Sequence, residues 1–144
     1  MQARLNPFAT DLGPKFAKYI VSANNVVADS TLPAATQHLV KVRASPINRC
    51  AFCLDMHTKE AVQAEETSVR PSLVAAWRET TVFTDAERAA LELTEQGPRL
   101  ADGGGVTDAA WEHAVEHYND EQLMTLVPQI AVINAFNRGY VILQ

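Results

Sequence analysis

Two cysteines, three residues apart, are all that this 144-residue chain contains. A disulfide-stapled secreted scaffold needs more of them, spread more widely. A C-x-x-C of this kind points instead to redox chemistry or metal binding. No run of Lys or Arg stands out, and the formal net charge is −5. That balance argues against partnership with nucleic acid or an acidic membrane surface. The first residues, Met1-Gln2-Ala3-Arg4-Leu5-Asn6-Pro7-Phe8, carry no apolar signal core and no cleavage-site pattern, so the expected location is cytoplasmic. The most apolar stretch, Leu123 to Ala135, is interrupted by Thr125, Pro128, Gln129 and Asn134. It is too short and too polar to be expected to cross a bilayer. The triple glycine Gly103-Gly104-Gly105 lacks the strand-before, helix-after context of a phosphate loop. No nucleotide or flavin motif is present, and no cofactor is expected.

What remains is ordinary globular usage, with 47% apolar and 20% charged residues. It suffices for a single domain over residues 1–144 with a sizeable core. The coarse pattern is helix after helix, with no lasting strand-like alternation. Lys15 to Ala28 carries Phe16, Tyr19, Ile20, Ala23 and Val27 at helical spacing. Thr31 is a plausible N-cap for a second helix with Pro33 just inside it. That helix places Ala35, Leu39, Val42 and Ile47 on one side and ends or bends at Ser45-Pro46. A third runs to about Glu65, and Ser68-Val69-Arg70-Pro71 opens a fourth through Leu73, Val74 and Trp77. Thr84-Asp85-Ala86-Glu87 has the spacing of a capping box. Gly97-Pro98 and the triple glycine mark a loop. Thr107 or Asp108 caps a short helix bearing Trp111, Val115 and Tyr118. Asn119-Asp120-Glu121-Gln122 opens the last helix, which Pro128 should kink. The expectation is an all-α bundle of six to seven helices.

The chemistry concentrates in Cys50-Ala51-Phe52-Cys53-Leu54-Asp55-Met56-His57. On a helix, Cys50 and Cys53 are i and i+3, and Cys53 and His57 are i and i+4, so all three share one face. Cys50 falls near the helix start, where free N–H groups and the positive dipole end favour a thiolate. His57 can take the thiol proton from Cys53 and return it to a leaving group. If Cys53 becomes a sulfenic acid, Cys50 can attack it and close a disulfide. Two blander arrangements compete. Cysteine packs readily in cores. Zinc could bind this face, but a structural site wants four ligands and no further cysteine exists to complete it.

The stretch from Arg43-Ala44-Ser45-Pro46-Ile47-Asn48-Arg49-Cys50 to His57-Thr58-Lys59-Glu60-Ala61 resembles the alkylhydroperoxidase D-like branch of the carboxymuconolactone decarboxylase family. So do Ala76-Trp77-Arg78-Glu79, Phe83 to Leu91, and Ile133-Asn134-Ala135-Phe136-Asn137-Arg138. The family pattern is a Glu, eleven residues, then C-x-x-C-x-x-x-H. The resemblance implies that Cys53 meets peroxide, that Cys50 is its resolving partner and proton donor, and that His57 is the relay histidine. It also implies a homo-oligomer, commonly a trimer or hexamer. The departure lies upstream, where His38 stands at the Glu position. A histidine can shuttle a proton there but supplies no fixed negative charge. Decarboxylase members work without the cysteine pair, so the pair argues against lactone decarboxylation.

The expected activity is therefore reduction of a small-molecule peroxide through a dithiol cycle, with an external dithiol as electron donor. A redox sensor or disulfide-exchange protein is the alternative from a different class, and a lactone enzyme is the third. Among the remaining residues, Glu60 could orient His57 but reads more simply as a solvated surface Glu. Asp55 points off the Cys/His face. Asn134, Asn137 and Arg138 suggest a fixed polar network with an acid such as Glu87 or Glu92. Phe52, Met56 and Trp77 could line an apolar entrance or simply pack. His113 and His117, i and i+4 on a polar helix, read as exposed.

Overall fold

The computed structural model describes residues 3–64 and 67–144. Met1, Gln2 and the expected third-helix end at Glu65 lie outside the described residues. Among those described there is no strand. Six helices have ten residues or more: α1 (Leu12–Ala28), α2 (Ala34–Ile47), α3 (Ala51–Gln63), α5 (Asp85–Gln96), α7 (Asp108–His117) and α8 (Asp120–Leu143). A short α4 (Val69–Leu73) runs on as 3-10 helix from Val74 to Glu79, and α6 (Leu100–Gly103) is a single turn. Six long helices and one composite segment make up the expected all-α bundle.

Capping chemistry sets several of the boundaries. Thr84 accepts from Glu87 N while the Glu87 carboxylate accepts from Thr84 N, closing the capping box that opens α5. Asn119 and Gln122 do the same for α8. Thr107 caps α7 by accepting from Ala110 N. Elsewhere the boundaries differ from expectation. Helix α1 begins at Leu12, three residues early, and Pro33 is the N-cap of α2 rather than a residue inside it. The Gly97–Gly105 segment is not all loop, since Gly97–Arg99 and Leu100–Gly103 each wind a turn before Gly104 and Gly105 take positive φ.

Helix α2 is the hub, packed against α3, α5 and α8, while α7 lies on α5 and α8. Its sides feed two apolar clusters. Val40 joins Ala89, Ala90, Leu93, Ala110, Ala114, Leu126 and Ile130 in one, and Leu39 and Val42 join Val74, Trp77, Phe83 and Leu91 in the other. Fully buried leucines such as Leu39, Leu91 and Leu126 each contribute about 1.5–3 kcal/mol of transfer free energy. Trp77 belongs to this interior and lines no entrance. Its Nε1 donates to Glu95 Oε1 at 2.9 Å, and Arg43 and Arg78 close on the same carboxylate. Burial pushes the Glu95 carboxyl up, but the bonds from Arg78, Trp77 and Arg43 outweigh it and hold it below the usual range.

Two helices turn unexpected faces outward. In α7 the small residues Ala110 and Ala114 are buried, and Trp111 and Val115 are exposed, because the close approach of α5 admits only small side chains. In α1 only Val27 is buried. Phe16 is 62% exposed and Tyr19 70% exposed, so of the apolar face read from the spacing only Val27 reaches the core. Helix α8 has the length and mean hydropathy of a membrane-crossing helix. It carries Gln129, Asn134 and Asn137 among its buried residues and packs against α1, α2 and α7. Pro128 sits inside it and the helix continues past.

Candidate active site

The link between α2 and α3 places the first cysteine. Asn48 ends α2, Arg49 takes the left-handed conformation at φ 60°, and two backbone bonds close the turn. Arg49 N donates to Pro46 O at 3.0 Å and Cys50 N donates to Ser45 O at 2.9 Å. This is the Schellman arrangement, with a non-glycine residue in the left-handed position. Cys50 is thus both the last residue bonded to α2 and the N-cap of α3. Its Sγ accepts from Cys53 N at 3.3 Å. The cysteines sit where unpaired N–H groups converge and negative charge on sulfur is favoured.

A polar cluster braces that turn from α8. Asn48 Nδ2 faces Asn134 Oδ1 at 2.8 Å, Asn137 Oδ1 at 3.1 Å and Ala44 O at 3.1 Å. Asn134 Nδ2 donates in turn to Ile130 O at 2.7 Å. The expected network around Asn134 and Asn137 exists, but Asn48 is its partner, and among the described residues no acid joins it. Glu87 is taken by Arg70, and Glu92 by His113 and Arg78. Arg138 donates to Pro98 O at 3.1 Å.

Cys50 and Cys53 form a disulfide with their Cα atoms 5.3 Å apart, inside the ordinary range for a bridge. Their surroundings differ. A cavity of about 210 Å³ is lined by Cys53, His57, Phe52, Met56 and Glu60 from α3. Asn24 of α1, Lys41 of α2, and Ile133, Phe136 and Tyr140 of α8 complete it. Cys50 does not line it and is 1% exposed. Phe52 stacks on Tyr140 with ring centroids 4.5 Å apart, forming an aromatic wall. A larger groove of about 700 Å³ between α5, α7 and α8 holds neither cysteine nor histidine. A thiol and an imidazole that could pair as nucleophile and base make the smaller cavity the candidate site.

His57 is buried and held by a residue that the sequence reading set aside. Its Nδ1 lies 2.7 Å from Glu60 Oε2. A carboxylate only accepts, so Nδ1 carries the hydrogen and Nε2 is left as the proton acceptor. Burial lowers the His57 pKa. The hydrogen bond and charge of Glu60 oppose that shift, and the Lys41 charge reinforces it. His57 is therefore a neutral base at pH 7. Its i, i+3 spacing was the available signal for Glu60; what the spacing could not show is that His57 is buried and needs the partner. Lys41 had no signal in the motif and enters the site only through the packing of α2 on α3.

The other candidates separate cleanly. His38 lies on α2, half-buried, one turn before Lys41; the cavity receives Lys41 from that helix. Asp55 is exposed and pairs with Lys59 at 2.6 Å, off the Cys/His face as expected. His117 is exposed, while His113 is half-buried and lies 3.1 Å from Glu92 Oε2. Among the described residues no three His, Cys, Asp or Glu side chains group as metal ligands.

Residues 14–96, more than half the chain, match the sequence profile of the carboxymuconolactone decarboxylase family. The chain belongs to that family. The uncharacterized protein YdfG of Bacillus subtilis (strain 168) is 36% identical over 128 residues, covering 89% of this chain and 86% of its own. A crystal structure from Agrobacterium tumefaciens superposes with a TM-score of 0.91 at 35% identity, covering 99% of this chain and 95% of that one. That protein is of unknown function and is named as an AhpD candidate in antioxidant defence. A peroxidase-related protein with an alkylhydroperoxidase AhpD core, from Ralstonia eutropha JMP134, shares the fold with a TM-score of 0.74 at 19% identity. It covers 89% of this chain and 68% of its own. Within the family the chain falls in the AhpD-like branch.

Proposed function

We propose that this family member is a thiol-dependent peroxidase acting through a Cys53/Cys50 dithiol cycle. One observation carries the reading: Cys53 and His57 line the same small cavity, while Cys50 is bridged to Cys53 and lies outside it. The cysteine that a substrate can reach is the attacking one, and the shielded one resolves. His57 Nε2 takes the Cys53 proton. The thiolate attacks one peroxide oxygen, forming an S–O bond as the O–O bond breaks. Sulfur is oxidised by two electrons and the peroxide is reduced to an alcohol or water. The Cys50 thiol then attacks the sulfenic sulfur, the S–S bond forms, and water leaves with the Cys50 proton. An external dithiol reduces the disulfide by exchange. His38, at the place of the family Glu, is proposed as an outer proton-relay residue. The walls of Phe52, Met56, Ile133 and Phe136 suit the organic part of an alkyl hydroperoxide, and 210 Å³ limits it to a small one, below the roughly 300–1,000 Å³ of drug-sized pockets.

The test is peroxide consumption with dithiothreitol as donor. Wild type should turn over; Cys53→Ser should not. Pre-reduced and freed of donor, Cys50→Ser should consume about one equivalent of peroxide and stop, leaving Cys53 oxidised. Turnover that survives Cys53→Ser, or wild type that consumes no peroxide, would overturn the reading.

A further inference from the structure

Among the described residues that line the cavity, Lys41 is the charged one to which the dithiol cycle assigns no task. It enters from α2, opposite the α3 face that bears Cys53, His57 and Glu60. Among the described residues no hydrogen bond or ion pair holds its ammonium group. Glu60 is the charge that acts on it, and the other tie of Glu60 is to His57 Nδ1. A cation left without a fixed partner, in a small cavity beside a nucleophilic sulfur, is available to whatever enters.

The cycle as written leaves one proton transfer without an assigned donor at this place. When Cys53 displaces an alkyl hydroperoxide, the departing oxygen is an alkoxide. Its conjugate acid is about as weak as water, with a pKa of about 15.7. Leaving without a proton is slow, and a positioned acid accelerates such a step by typically 10²–10⁴-fold. His57 is held neutral at rest and oriented to accept a proton, so it does not start the reaction as an acid.

We propose that Lys41 protonates the departing oxygen, with Glu60 coupling it to His57; this rests on the peroxidase reading above. As the S–O bond forms and the O–O bond breaks, one Lys41 proton moves to the leaving oxygen and gives the alcohol. The neutral amine then regains a proton from His57, which had taken it from the Cys53 thiol. The Cys53 proton thus ends on the alcohol and no charge accumulates. The environment favours the transfer. Burial lowers the Lys41 pKa below its ordinary 10.5, with the Glu60 carboxylate partly opposing the shift. The groups that face Lys41 across the cavity are Cys53, His57 and Glu60 of α3, Asn24 of α1 and Tyr140 of α8.

The experiment compares two oxidants on the same sulfur. In a Cys50→Ser background, the rate of Cys53 oxidation is measured with tert-butyl hydroperoxide and with peracetic acid. The first expels an alkoxide that needs a proton; the second expels acetate, which does not. Lys41→Gln should slow the hydroperoxide reaction by about 10²–10⁴-fold and change the peracetic acid reaction by less than about threefold. Lys41→Arg keeps the charge with a weaker acid and should restore only part of the hydroperoxide rate. Wild type should lose hydroperoxide rate at alkaline pH as Lys41 gives up its proton, and Lys41→Gln should show no such fall. Equal losses with both oxidants would show a charge or packing role, and no loss with either would show a bystander. Both overturn the assignment. If wild-type Cys53 is alkylated by iodoacetamide yet oxidised by neither oxidant, the peroxidase reading itself falls and takes the assignment with it.

Discussion

His57 Nδ1 and Glu60 Oε2 lie 2.7 Å apart, one turn along α3, with the imidazole buried and the carboxylate at the cavity edge. The pair fixes the tautomer of the base. It also sets the acid limit of the site. Because burial depresses the His57 pKa more than Glu60 raises it, His57 stays neutral as pH falls through 6.5 and gains a proton only below that. Alkylation of Cys53 by iodoacetamide, in a Cys50→Ser background, should accordingly hold its rate to below pH 6.5. Glu60→Gln keeps an acceptor but removes the charge, so the acid limb should move further down with little loss of rate. Glu60→Ala removes both and should cost about 10–100-fold, the usual scale for a partner that orients an imidazole. An unchanged rate in Glu60→Ala would mean the ring is held by packing alone.

His38 carries a prediction for full turnover. As an outer relay residue it should matter to peroxide turnover and not to Cys53 alkylation. His38→Gln keeps a polar side chain but cannot shuttle a proton, so it should slow turnover by about tenfold or more with the alkylation rate unchanged. His38→Glu restores a proton-carrying group and should recover part of that loss. Equal turnover in wild type and His38→Gln would make His38 ordinary helix packing.

The Asn48 cluster carries a stability prediction. Asn48→Ala leaves Asn134 Oδ1 and Asn137 Oδ1 without their donor in a buried place. Stranding buried acceptors costs about 1–3 kcal/mol each, so a loss of about 2–6 kcal/mol is expected in urea denaturation. Asn48→Asp should be worse, because it points carboxylate oxygens at two amide oxygens and a carbonyl. Since the turn carries Cys50, both variants should also slow closure of the disulfide after peroxide treatment. Stability unchanged within 0.5 kcal/mol in Asn48→Asp would remove the cluster from any bracing role.

How far the sequence could be read depended on how local each determinant is. The caps at Thr84, Thr107 and Asn119 act within four residues, so they were legible, as was the one-turn spacing that sets Cys53 and His57 on one cavity; Cys50, read on the same face, is instead the N-cap outside that cavity. Lys41 and Asn48 were not. Their roles arise from α2 lying on α3 and α8, a contact between residues up to 89 positions apart. Glu60 lay between, since its position was visible but not the burial that makes His57 require it. Spacing misled in α7 and α1, whose faces were settled by what packs on them and not by where the large apolar residues fall.

The uncovered face of α1 bears on assembly. Leu12, Phe16 and Tyr19 are i, i+4 and i+7, one stripe along the helix, and all three are largely exposed. Met124 and Val127 of α8, the helix on which α1 packs, are exposed as well. An aromatic side chain offers about 150–250 Å² of surface, so the stripe is comparable to the largest apolar patch of a typical monomer, of the kind that often marks a contact site. The expected outcome is a homo-oligomer, a trimer or hexamer, that buries this stripe and part of α8. Light scattering at micromolar concentration should return a multiple of the 15.8 kDa chain mass. Phe16→Glu with Tyr19→Glu should shift the mass toward the monomer while the helical circular dichroism is retained, because neither residue supports the core. Lys15 and Lys18 flank the stripe and should tolerate Ala with the mass unchanged, which separates loss of apolar contact from a general effect on α1. A monomer mass for the unaltered chain would defeat the proposal.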